Sequence, residues 1–226
     1  MASTAPIPMA VPGSIPELAF AVRDAARLEY AAVPTLRFAL HIDSLRGHAI
    51  RSVLLDVQIQ IAARRRAYDA HAHDRLFELF GPVASWGTSL RTLLWTRTTL
   101  VVPPFGVSAD VDVPVVCTYD LEVAASRYFD ALEDGEVPLE FLFSGTVFHT
   151  GAGGGLQTAR ISWDSEAEYR LPVQVWKDTM AHHFPDTAWL RVGKSSFDRL
   201  AAYKSRRALA TWDDTFDALL GEEEEG

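Results

Sequence analysis

Seven histidines, one cysteine and thirty carboxylates are the side chains from which a reaction centre in this chain would have to be built. His71-Ala-His73-Asp74 is the densest ligand cluster, because imidazoles two apart on an extended segment point the same way and a carboxylate completes a metal site. No further ligand with recognisable spacing lies near, and Arg64, Arg65, Arg66 and Arg75 repel a cation. The ligand count therefore argues against a metal at His71, His73 and Asp74, and no cofactor is expected. His182-His183 precedes Pro185 at a helix end, where an imidazolium caps the dipole or faces a partner. His41, His48 and His149 have no assigned neighbours. Nucleophilic catalysis lacks a Gly-x-Ser-x-Gly elbow, and Cys117 lies in an apolar alternation that suits a buried, inert thiol. Asp110 with Asp112, and Glu166 with Glu168, share strand faces and could bind calcium, but a solvated sheet edge explains them as well.

Other features suit binding. Arg64-Arg65-Arg66 ends a long strand and could receive an acidic partner or an anion, against the plainer reading of a solvated strand end. Gly151-Ala-Gly-Gly-Gly155 leads into a strand and not a helix, so it reads as a hairpin loop instead of a phosphate cradle. The tryptophans Trp86, Trp95, Trp163, Trp176, Trp189 and Trp212 could form a stacking platform or an interface, though most fit a core or a helix–sheet seam. Arg64, Arg65, Arg66, Trp176, His182 and His183 are the interaction candidates.

The elements that must position these groups are mostly strands. Leu36, Phe38, Leu40 and Ile42 alternate with Arg37, Ala39 and His41. Val53, Leu55, Val57, Ile59 and Ile61 alternate with polar Asp56, Gln58 and Gln60, the pattern of an antiparallel sheet with one wet face. Leu18, Phe20 and Val22 favour a strand over residues 17–29, although Ser14 and Glu17 stand at capping-box spacing for a helix. His71 to Phe80 fits a short helix or turn stopped by Gly81-Pro82. Strands follow at 93–102, at 111–123 and at 139–147, at 157–163 and at 167–171, with a short helix over 124–134. The expected fold is mainly β (α+β overall), an antiparallel immunoglobulin-like β-sandwich with short inserted helices and a long C-terminal helix. Val173 to Phe184 forms a first helix. Phe197, Leu200, Leu209, Trp212, Phe216 and Leu219 then recur near helical spacing, predicting one helix of about 25 residues and about 37 Å. The expected domains are a flexible leader over 1–16, a sandwich over 17–172, a helical extension over 173–220 packed on it, and an acidic tail over 221–226.

Composition bounds the function classes. Lys+Arg of 21 against Asp+Glu of 30 gives a net charge of −9, and without Glu222 to Glu225 the body still carries −5. That balance excludes a nucleic-acid binder. A single cysteine excludes an intramolecular disulfide and any multi-cysteine zinc cage, and suits a reducing compartment. The uncharged, proline-interrupted start has neither a basic region nor an unbroken apolar one, and no apolar run reaches the roughly 18 residues a membrane span needs. A cytoplasmic protein without membrane contact is expected.

The segment Asp112-Val-Pro-Val-Val-Cys-Thr-Tyr, a short helix, and then Gly135-Glu-Val-Pro-Leu-Glu-Phe-Leu-Phe-Ser-Gly-Thr-Val resembles the water-stress sandwich domains of the late-embryogenesis-abundant type. The whole chain, including Tyr30-Ala-Ala-Val-Pro-Thr-Leu and the Tyr203 to Leu220 stretch, resembles an uncharacterised bacterial family often encoded beside nickel–iron hydrogenase genes. That resemblance implies an accessory or assembly role and carries over no catalytic residue. The first expectation is thus a non-catalytic interaction or assembly module with a protein partner, hydrogenase subunits or maturation factors among them. A protein binding an apolar or metal-containing ligand between sandwich and helix is the alternative, and a hydrolase assembled from distant loops the third.

Overall fold

A computed structural model describes residues 15–118, 120, 123–151, 153–187 and 191–224. The strands, as far as described, are β1 (Leu18–Arg27), β2 (Thr35–Ser44), β3 (Ile50–Ile61), β4 (Leu93–Val102), β5 (Ser108–Val116), β6 (Glu136–Thr150), β7 (Leu156–Arg160) and β8 (Glu166–Pro172). The helices are α1 (Ala70–Arg75), α2 (Phe77–Phe80), α3 (Trp86–Ser89), α4 (Ala124–Asp130), α5 (Val173–His183), α6 (Lys194–Arg206) and α7 (Trp212–Glu224). The leader, Tyr119, Leu121 and Trp189 lie wholly or largely outside the described residues.

The chain divides into two compact units, Met1–Ala188 and Trp189–Gly226. The first is mainly β. One antiparallel sheet runs β1-β2-β5; the other runs β4-β3-β6-β7, with β8 also paired to β6. Alternation explains the inner faces: Leu36, Phe38, Leu40 and Ile42 are fully buried on β2, as are Val53, Leu55, Ile59 and Ile61 on β3. Within residues 17–29 the strand alternative holds over Leu18–Arg27.

Aromatic rings join the two sheets. Phe38 on β2 meets Phe141 on β6 at 5.2 Å and Tyr169 on β8 and Trp95 on β4 at 6.0 Å each, all edge-on. Phe20 on β1 stacks on Phe143 on β6 at 4.2 Å. Burying each such ring contributes roughly 1.5–3 kcal/mol, and the ring pairs add to it.

Strand β6 organises the second sheet. One of its edges pairs with β3 along nearly its whole length; the other pairs first with β8, through residues 136–142, and then with β7, through residues 146–150. Strands β7 and β8 are therefore one edge strand in two pieces. Residues 161–165 turn outward between them, held where Ile161 N–H donates to the Gly145 carbonyl (3.2 Å) and Phe143 N–H to that of Ser165 (2.9 Å).

Several expectations need correction. The strand expected over 111–123 stops at Val116. The Thr118 hydroxyl accepts the Asp120 N–H (3.1 Å), and Val123 N–H bonds the Asp120 carbonyl (3.0 Å), turning the chain into α4. Helix α5 belongs to the first unit and not to a separate extension, because Trp176 stacks on Phe129 of α4 at 5.4 Å.

The long C-terminal helix is two helices of 13 residues each. Ala208 adopts a left-handed φ of 52°, and the Lys204 ammonium donates to the Leu209 (2.5 Å) and Ala210 (2.7 Å) carbonyls that the break exposes. Thr211 and Asp214 then restart the helix as a reciprocal capping box: Asp214 N–H donates to Thr211 Oγ1 (3.0 Å) and Thr211 N–H to Asp214 Oδ2 (2.9 Å). These bonds hold the Asp214 carboxyl below its ordinary value. Nothing breaks α7 before Glu224, so the acidic run begins as helix.

Candidate interaction surface

The arginine triplet is occupied within the fold. Arg64 donates to the Leu90 and Gly87 carbonyls. Arg65 pairs with Glu168 at 2.5 Å and Glu140 at 3.4 Å, so one member of the Glu166–Glu168 pair is neutralised. Arg66 donates to the carbonyls of Glu136 (3.1 Å) and Asp134 (2.7 Å), and its guanidinium lies over the Tyr68 ring. Strand β3 thus ends in a clasp on the start of β6 and on β8, where an incoming anion would have to displace internal partners.

The geometry proposed for His71, His73 and Asp74 required an extended segment, and the segment is helical. Asp69 caps α1 by accepting the Ala72 N–H at 2.7 Å, and residues two apart on a helix face away from each other. His71 Nδ1 lies 3.3 Å from Glu133, while His73 meets the edge of Trp86 at 4.9 Å. Among the described residues no three metal-ligating side chains cluster.

Trp176 is 3% exposed, which makes it a core residue and not a contact for a partner. His183 ties the last turn of α5 to the β1–β2 connection: its ring nitrogens lie 3.0 Å from the Thr179 carbonyl and 3.2 Å from that of Ala31. His182 is exposed beside it.

The remaining reactive groups are buried or paired. Burial pushes the Cys117 thiol up to about 12 and raises the phenols of Tyr68 and Tyr128 above their ordinary value. Tyr68 donates to the Ala63 carbonyl (2.7 Å), so Tyr128 supplies the proton between the two hydroxyls (2.7 Å). Native Cys117 is expected to react with a disulfide reagent at pH 8 at least about 100-fold more slowly than the unfolded chain, as a stopped-flow comparison with and without denaturant would show.

The same groups set an alkaline limit. In the unfolded chain the thiol and phenols ionise near 9 and 10, whereas the folded chain holds all three neutral to higher pH. Their contribution to stability is therefore complete below about pH 9 and declines as pH rises further. Urea midpoints that stay flat from pH 7 to 8.5 and fall by pH 10.5 would bear this out; a midpoint that rises with pH would refute it.

Two arrangements escaped the sequence. His41, 8% exposed, lies between Asp110 (2.6 Å from Nδ1) and Asp43 (3.2 Å from Nε2), with Arg23 3.6 Å from Asp110. Its signal was the His41-x-Asp43 alternation, but its partner Asp110 comes from β5. Its ring thus spans a carboxylate of its own strand and one of β5. Asp112 pairs with Arg37 (3.1 Å), which makes the Asp110–Asp112 face a cross-strand charge ladder.

The second arrangement lies at the β7–β8 interruption. Ser165 N–H bonds the Ser162 carbonyl (3.2 Å) to close a turn, and this turn carries Trp163 outward at 93% exposure. The strand expected over 157–163 therefore stops at Arg160, and Trp163 is neither core nor seam. Its chain neighbours Ser162 and Asp164 line a cleft of about 860 Å³ between the start of β1 and the interruption, together with Leu18, Phe20, Val147, Ile161 and Arg46. Arg46 is held by Glu17 at 2.8 Å. A rigid indole next to an amphipathic cleft can seat a protein surface.

Two antiparallel sheets packed through shared aromatic rings, with α4 and α5 beside them in the first unit and a Trp-tipped turn on one edge, define a mainly β two-layer protein. The chain belongs to DUF6084, a family of unknown function, whose model matches residues 15–226. No curated protein matches it in sequence. Among solved structures it is similar to the CARDB domain of the PF1109 protein from Pyrococcus furiosus, a complex with di-metal ions, at 9% identity over 75% of this chain and 97% of that one, with a TM-score of 0.29. It is also similar to a candidate late embryogenesis abundant protein (14% identity, 70% and 73% coverage, TM-score 0.31). A third likeness is to beta-glucosidase 3B from Thermotoga neapolitana (14% identity, 69% of this chain and 17% of that one, TM-score 0.25). No helix among the described residues is long and apolar enough to cross a membrane.

Proposed function

We propose that the protein is a non-catalytic, cytoplasmic interaction module on an immunoglobulin-like β-sandwich, serving the assembly of a nickel–iron hydrogenase. The observation that carries the reading is Trp163: a large apolar side chain 93% exposed on a hydrogen-bonded turn, beside a cleft of about 860 Å³. Holding an indole in water gives up the roughly 1.5–3 kcal/mol that burial would return, and a partner that covers it recovers that energy at its interface. The basic triplet, His183 and Trp176 serve the fold, so the edge that displays Trp163 is the surface the reading rests on.

The test is a pull-down from the native host with the full chain as bait, wild type against Trp163→Ala. Hydrogenase subunits or maturation factors are expected on the wild-type bait, and the variant should retain at most about a tenth as much, since a buried aromatic anchor is worth 2 kcal/mol or more. Equal retention by the variant would remove the surface from the proposal. Wild-type bait that returns no hydrogenase component would remove the assembly role.

A further inference from the structure

The second unit raises a separate question of what covers it. Helices α6 and α7 are each about 20 Å long and meet around Trp212, which packs on Phe197 at 5.4 Å and lies under the Lys204 ammonium at 5.9 Å. Thr215 is the sole buried side chain among the described residues of this unit, whereas Phe197, Trp212, Phe216 and Leu220 are 37–63% exposed. Helices this short are marginal alone, and one shared contact line gives little burial to hold two of them.

Charge indicates what covers the pair. Helix α6 carries Lys194, Arg199, Lys204 and Arg206 against Asp198 alone; α7 carries Asp213, Asp214, Asp217 and three glutamates with no basic residue. Part of this charge is already engaged, since Lys194 pairs with Asp198, Lys204 bonds two carbonyls and Asp214 caps α7. Arg199 and Arg206, two turns apart on one face of α6, and Asp213 and Asp217, one turn apart on α7, have no partner among the described residues. Arg199 and Arg206 flank a groove of about 480 Å³ floored by Leu200, Tyr203 and Leu219. The chain's own α7 already lines that groove through Leu219 and so cannot also fill it.

We propose that the groove receives α7 of a second copy of this chain, so that two α6–α7 hairpins join as an isologous four-helix arrangement with α6 of each copy along α7 of the other. Two-fold symmetry then satisfies both charge seams at once. Pairing α7 with α7 would instead set two acidic helices side by side, so the charges select the crossed arrangement.

Sedimentation of the full 25.0 kDa chain tests the proposal. The wild type is expected near 50 kDa, twice the chain mass, with a dissociation constant that rises at least about tenfold between 50 mM and 500 mM salt. The double variants Arg199→Glu/Arg206→Glu and Asp213→Arg/Asp217→Arg should each sediment as single chains at the concentration where the wild type is paired. Mixing them in equal amounts should restore the paired mass, because each then offers the charge the other has lost, a rescue that misfolded chains could not give. A wild type that stays at 25.0 kDa, a salt-insensitive dimer, or reversals that leave the mass unchanged would each overturn the proposal.

Discussion

Replacing Gly145 with alanine is expected to cost about 3–5 kcal/mol of folding stability, a large part of what a domain this size possesses. Gly145 has φ of +139°, a conformation that side-chain-bearing residues rarely adopt, and the added Cβ would sit 2.0 Å from the Leu54 carbonyl oxygen and 3.3 Å from Leu55 Cα on β3. That neighbour is backbone in the middle of the sheet and cannot swing aside. On its other edge the Gly145 carbonyl accepts Ile161 N–H, so a displaced β6 would also disturb the turn that carries Trp163. Gly87→Ala is the control: the space around it is open and it lies in α3, where alanine is the better helix former, so its effect should be neutral or stabilising by up to about 1 kcal/mol. Urea denaturation of the two variants decides the matter, and a Gly145→Ala loss below about 1 kcal/mol would show that β3 and β6 do not approach this closely.

Phe38→Ala is expected to cost a similar 3–5 kcal/mol for a different reason. Its ring is fully buried between the sheets and touches Phe141, Tyr169 and Trp95, so truncation removes contacts to β6, β8 and β4 together. The cavity is walled by strands fixed in their ladders and cannot collapse freely. Phe38→Leu should recover most of the loss, and Phe77→Ala, at a site 57% exposed, should cost under about 1 kcal/mol. Phe38→Ala and Phe141→Ala share one contact, so their combined loss should fall short of the sum. If Phe38→Ala proves no more harmful than Phe77→Ala, this ring does not hold the layers together.

What the chain discloses in sequence follows the range of the forces involved. The inner faces of β2 and β3 were legible because a strand's period is local: Phe38 and Leu55 point inward whatever their partners are. The partners were not. Arg65 meets Glu168 across 103 positions and Arg66 meets Asp134 across 68, distances at which spacing carries no information. A shared face for His71 and His73 needs an extended segment, whereas the same stretch also reads as a short helix and Asp69 stands where a cap for α1 belongs. The C-terminal apolar spacing runs on through residues 207–211, while Thr211 and Asp214 already marked a new start; the periodic signal outweighed the cap. Trp163 looked like a strand residue because only the pairing of β6 with both β7 and β8 leaves it outside.

That divided edge has one more effect. A single strand from residue 156 to 172 would offer an unbroken row of amides and carbonyls to any extended chain drifting past, the template from which fibrils grow. As built, an intruder finds five residues of β7, then an outward turn, then seven of β8. The kink that displays the indole thereby shortens the ladder an added strand could form along this edge, one of the ways in which sheet proteins disfavour edge-to-edge pairing.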